Sequence, residues 1–159
     1  MRSPRLPMGP SADMDRGLVI AILNELLTLE QRSLAPRLLE STVFVSDLSV
    51  AAFGLVQRMA QATRDHGAAL TKLILDSGGS PGPRSSSVAT ADLHFQELQH
   101  VLPRLIADQQ ALIRKYAIAA QRLSDEPRAL ALVTRILQRH QQDLQTLGEL
   151  LPAPHVGAA

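Results

Sequence analysis

Apolar residues return every three or four positions along most of this chain, the rhythm of α-helices that each bury one face. The first stripe covers about 18–39, through Ile20, Leu23, Leu27 and Leu34, and Pro36 is expected to kink its last turn. The second covers about 48–75, after a cap at Ser46 or Asp47, through Leu55, Met59, Leu70 and Leu73. The third begins after Thr90 or Asp92 and reaches about residue 123, through Leu98, Leu102, Leu105, Leu112 and Tyr116. The fourth restarts at Pro127, a residue suited to a first helical turn, and reaches about residue 151 through Leu130, Val133, Leu137, Leu144 and Leu147.

Near its middle each stripe is interrupted. Glu30 breaks the first, Thr63 and His66 the second, Gln109 the third and His140 the fourth. Polar side chains at the centre of a bundle cost free energy unless they are paired or bound to something. Four such interruptions at one depth point to a site, or to what is left of one.

The connections decide how the helices are arranged. Asp76, Ser77, Gly78 and Gly79 end the second helix, and residues 78–90 (GGSPGPRSSSVAT) then form a long non-helical connection able to travel the length of a bundle. Ser124 to Pro127 is a tight stop and restart. Short, long and short connections in that order predict an all-α four-helix bundle of two antiparallel helical hairpins joined by a long crossover. A weak echo between VQRMAQATRDH and VTRILQRH, each placing a His about three turns into the second helix of its pair, fits a duplicated hairpin.

Composition narrows this picture further. Hydrophobic residues make up 45% of the 159 residues and aromatic residues only 3%, so the core is packed by Leu, Ala and Ile, as helix-on-helix contacts favour. Residues 17–151 are expected to form the one domain, with tails at 1–16 and 152–159. Sixteen basic residues balance fifteen acidic ones without a basic block, which argues against a nucleic-acid partner. The absence of cysteine excludes disulfides, thiolate metal sites and a thiol nucleophile. The apolar run at 18–23 stops at Asn24 and Glu25, too short for a membrane span, so the expectation is a soluble cytoplasmic protein with no membrane partner.

The interrupting residues sit in particular contexts: Glu30 in LNELLTLEQRSL, His66 in QATRDHGAALTKLILDSGG, Gln109 with Asp108 in ADQQALIRKY, and His140 in RILQRHQQDL. Over residues 17–151 this arrangement resembles the ferritin-like superfamily, in particular bundles of the bacterioferritin and rubrerythrin kind. Those bundles hold two irons or manganeses with a carboxylate on helix one, Glu-x-x-His on helix two, a carboxylate on helix three and Glu-x-x-His on helix four. The resemblance implies that Glu30, His66 and His140 stand at ligand positions. Thr63, Gln109 and Leu137 then occupy the other three, and Asp108 lies one step off the stripe. It also implies self-association, as a homodimer or a higher homo-oligomer.

The replaced positions include the two Glu that would bridge the metals. Two divalent cations about 4 Å apart repel strongly and need several carboxylates between them. A degenerate site is therefore expected, without a functional di-iron centre. Two functions follow from it. In the first, the protein is a non-catalytic structural or interaction module, with Glu30 accepting hydrogen bonds from His66 or His140 and from the hydroxyl of Tyr116 or Thr63. In the alternative, a reduced site of Glu30, His66 and His140, with Asp108 as a fourth candidate, binds one Fe, Mn or Zn as a metal-binding protein or oxidoreductase. His94 and His100, near Glu97, do not share a helix face and are expected to be exposed.

Overall fold

The computed structural model describes residues 10–84 and 91–151. Its helices are α1 (Pro10–Arg32), α2 (Leu34–Glu40), α3 (Val50–Asp76), α4 (Leu98–Arg122) and α5 (Pro127–Leu150), with a 3-10 turn at Ala91–Leu93. Because α2 continues α1, the described residues form the four helical columns that the stripes predict. Their only extended pairing is an isolated bridge between Phe44 and Glu97. Helix α1 takes in residues 10–16 of the expected tail. The rest of that tail, and the one expected at 152–159, lie outside the described residues. Among the described residues no helix is long and apolar enough to cross a membrane.

The kink expected at Pro36 is instead a break at Ser33, and the chemistry of proline explains the shift. Pro36 has no N–H, and its ring would clash with the carbonyl four residues earlier, on Arg32. The chain ends α1 at Arg32 and restarts at Leu34, so that Pro36 falls in the first turn of α2, where no intrahelical N–H bond is needed. The freed Leu34 N–H donates to Oδ2 of Asp108 on α4, 2.9 Å away.

Two further starts move for local reasons. Helix α4 begins at Leu98 instead of near Asp92, because Phe95 adopts φ 63°, a left-handed conformation that interrupts helical winding. Phe95 N–H donates to Thr42 O, and Phe44 exchanges backbone bonds with Gln96 and Leu98, each at 2.8 Å. Helix α3 begins at Val50 without a side-chain cap. The hydroxyls of Ser46 and Ser49 donate to Glu97 Oε1 instead, at 2.8 and 3.0 Å. His94 accepts from the Thr42 N–H through Nδ1, so this imidazole joins the same turn.

These contacts place the ends of the bundle. Past the end of α3, Asn24 of α1 donates to Ser80 O at 3.2 Å and accepts from Gly82 N–H at 2.7 Å. Gly79 lies so close to Ile20 that a Cβ there would come within 2.7 Å of it, so a larger residue would require the Ile20 side chain to move. The start of α4 lies at the opposite end, beside residues 42–44. The connection between α3 and α4 therefore joins opposite ends of the bundle, and residues 85–90 within it lie outside the described residues.

The core is divided in two. One apolar half contains Leu23, Leu27, Leu70, Ile74, Leu112 and Val133. The other contains Leu38, Leu55, Met59, Leu102, Leu105 and Leu147. Each fully buried side chain of this kind contributes about 1.5–3 kcal/mol. Between the halves lies a buried polar layer with Glu30, Thr63, Gln109 and His140.

Candidate metal centre

Helical periodicity delivers the layer. Glu30 follows Leu23 and Leu27 on the inner face of α1, His66 lies between Met59 and Leu70 on α3, and His140 lies between Val133 and Leu147 on α5. From α4, Gln109 and Tyr116 project inward at a spacing of seven, two turns apart on one face.

Glu30 Oε1 is the hub. It accepts from the Tyr116 hydroxyl at 2.6 Å, lies 2.8 Å from His140 Nε2, and is 3.4 Å from His66 Nδ1. His140 Nδ1 is 3.0 Å from Gln109 Oε1. The two imidazoles meet edge to face, with centroids 5.1 Å apart. One ligand atom from each of Glu30, His66 and His140 lies within 4.8 Å of the others. Nitrogen and oxygen ligands bound about 2.0–2.1 Å from a tetrahedral ion stand roughly 3.4 Å apart, a spacing that the 3.4 Å His66 separation matches, whereas the 2.8 Å His140 separation is that of a hydrogen bond.

Burial and charge act in opposite directions on Glu30. Burial pushes its carboxyl up, but hydrogen bonds and charge from His140 and His66 together outweigh this and hold it down at about 2. Tyr116 is pushed well above the ordinary phenol value by burial, then by the charge of Glu30 and by its bond to that carboxylate. Its hydroxyl therefore stays a donor.

The hydrogen-bond inventory of the layer is uneven. With a carbonyl oxygen at Nδ1, a neutral His140 ring carries its proton there and turns the Nε2 lone pair toward Glu30 Oε1. Two acceptors then face each other across 2.8 Å. A cation between them resolves this, and the Gln109 contact becomes the outer partner that orients a ligating histidine. Protonating the ring, or turning the Gln109 amide, resolves it without a metal. Glu30 Oε2 is buried without a hydrogen-bond partner, and the buried His66 Nδ1 has only its long 3.4 Å contact with Glu30 Oε1.

No protein-family model, curated protein or solved structure matches this chain.

The structure therefore brings together three of the residues singled out from sequence, Glu30, His66 and His140. Gln109, at a replaced ligand position, joins them through His140. Asp108, the fourth candidate, is not in that group: its carboxylate accepts from Leu34 N–H at the start of α2. Burial pushes the Asp108 carboxyl up, and the Leu34 N–H and the charge of Arg37 offset part of that push. Thr63 is buried in the layer, and Leu137 packs against the first apolar half. Neither supplies charge, so Glu30 is the single carboxylate in the described ligand group.

Sequence reasoning missed a second buried acid. Asp143 accepts from Arg139 Nε through both oxygens, at 3.1 and 3.2 Å, and is 5% exposed. The signal was present as an Arg and an Asp four residues apart on α5, a spacing that places them on one face.

Proposed function

We propose that this chain is a ferritin-like four-helix bundle that binds one divalent cation, Fe, Mn or Zn, through Glu30, His66 and His140, and that it lacks a two-metal oxidase centre. The observation that carries this reading is the buried Glu30 Oε2, which has no partner, beside His140 Nε2 and a His66 Nδ1 held only by its long 3.4 Å contact with Glu30 Oε1. A buried polar atom left without a partner costs about 1–3 kcal/mol, and a cation satisfies Glu30 Oε2 and His66 Nδ1 at once. Two imidazoles and one carboxylate suit these three metals and leave a coordination position for water. One carboxylate cannot neutralise two cations, which supports a single ion. The ferritin-like part rests on the helix order, the long connection between opposite ends, and the depth of the layer. When bound, the ion links α1, α3 and α5 across the core, a structural role more than an enzymatic one.

A second reading has its own observation. Tyr116, His140 and Gln109 already form a connected hydrogen-bond chain through Glu30, which supports a metal-free layer in a non-catalytic structural or interaction module. Elemental analysis of protein purified without chelator separates the two. About one equivalent of Fe, Mn or Zn per chain, lost in His66→Ala, is expected for the single-cation site. Metal far below stoichiometry in the wild-type protein leaves the metal-free layer as the account.

A further inference from the structure

The polar layer meets solvent on one side. Glu30 and His140 are 1% and 2% exposed, whereas His66 is 12% exposed and forms the α3 wall of a cleft of about 330 Å³ between α3 and α5. The Nδ1 atom of His66 faces inward and is buried, so the opposite edge of the ring, carrying Nε2, reaches the cleft. The α5 wall is made of Arg135, Ile136, Gln138, Arg139 and Gln142. This lining holds two guanidinium groups, two carboxamides and an imidazole edge, and no carboxylate. Asp143 takes the Nε of Arg139, which fixes that guanidinium and leaves its terminal amino groups for another acceptor.

We infer that His66 Nε2 and Arg135, with Arg139, form a binding site for a small oxyanion, a phosphate, sulfate or carboxylate group, and that its occupancy is coupled to the cation on the other side of the His66 ring. This rests on the single-cation reading. A cation on Nδ1 places the ring proton on Nε2, where it is a donor aimed into a cleft already lined by donors. An oxyanion accepting that proton makes Nδ1 a better ligand, as carboxylates do behind ligating histidines. Without the cation the ring can carry its proton on Nδ1, toward Glu30, and present a lone pair to the cleft, which repels an anion. Each ligand therefore tightens the other, by the same factor.

The test is the Co(II) affinity of the full chain, followed by visible absorption, in sodium sulfate and in sodium chloride at matched ionic strength. Sulfate is expected to tighten Co(II) binding by about fivefold or more. Arg135 is exposed, so Arg135→Gln should fold normally. That variant is expected to keep the chloride affinity and to reduce the sulfate effect to less than about twofold. Equal affinities in the two salts, or an undiminished sulfate effect in Arg135→Gln, overturn the coupled site and leave the cation site standing. Absence of any cobalt band overturns both.

Discussion

His140 and His66 lie at matching depths on α5 and α3, but their surroundings differ. His140 is closed in: one nitrogen meets Gln109, the other meets Glu30, and the Tyr116 ring lies 5.3 Å away. His66 has a buried nitrogen with only a long 3.4 Å contact to Glu30 and an edge on a cleft lined by basic residues. The difference follows from what faces each ring. Helix α4 brings Gln109 and Tyr116 to the His140 side of the layer, where they complete its hydrogen bonds. On α3, Thr63, three residues before His66, stands where the resemblance expects a carboxylate, and it gives the ring no such partner. One side of the layer is therefore built to hold itself together, and the other is left able to hold something else.

The most disruptive change removes the hub shared by both sides. Glu30→Ala strands the Tyr116 hydroxyl and the His140 ring in the core, and urea denaturation is expected to show a loss of about 3–5 kcal/mol. Glu30→Gln keeps a hydrogen-bonding shape without the buried charge. In metal-free protein at neutral pH it is expected to lose up to about 3 kcal/mol, the charge contribution that the lowered Glu30 carboxyl implies, and still less than Glu30→Ala loses. A loss as large as that of Glu30→Ala would mean that the carboxylate charge, and not its shape, organises the layer.

Acid separates charge from shape by another route. The folded Glu30 carboxyl is held at about 2, below its ordinary value of 4.5, so its contribution is complete above the ordinary value and disappears as pH falls toward 2. Up to about 3 kcal/mol should be lost across that window in wild type, beyond what Glu30→Gln loses. Parallel pH curves for the two proteins would contradict the geometry around Oε1.

The two histidines should differ in the same sense. In metal-free protein, His140→Ala removes two hydrogen-bonded contacts and is expected to cost about 2–3 kcal/mol, whereas His66→Ala should cost less than about 1 kcal/mol. Equal losses would erase the contrast between the closed and open sides. The smallest effect lies at the edge of the layer. Asp108→Ala removes the acceptor for Leu34 N–H, and thermal melts should show a loss of about 1 kcal/mol with metal affinity unchanged.

Much of this molecule is legible in its sequence, because helical columns and an interrupted core are written as periodicity. The stripes locate α3, α5 and the end of α4 to within a few residues, and α5 starts at Pro127 as its first-turn chemistry requires. The convergence of Glu30, His66 and His140 follows from the same periodicity. What escaped was set by contacts distant in sequence. The Leu34 N–H that the break at Ser33 frees is met by Asp108 across 74 residues, a cap that the sequence does not announce. The late start of α4 depends on residues 95–97 pairing with residues 42–44, and on a left-handed Phe95 that no propensity favours. The cleft beside His66 needed two helices to be placed against each other before Arg135 and Arg139 could be read as its lining.

The contrast between the two sides is tested most directly by the unfolding of wild type and His66→Ala with and without zinc. If the open side is a cation site, zinc at about a hundredfold over its dissociation constant should stabilise wild type by about 2.7 kcal/mol and leave His66→Ala nearly unchanged. Zinc that stabilises neither protein, or both equally, would contradict a site built on His66.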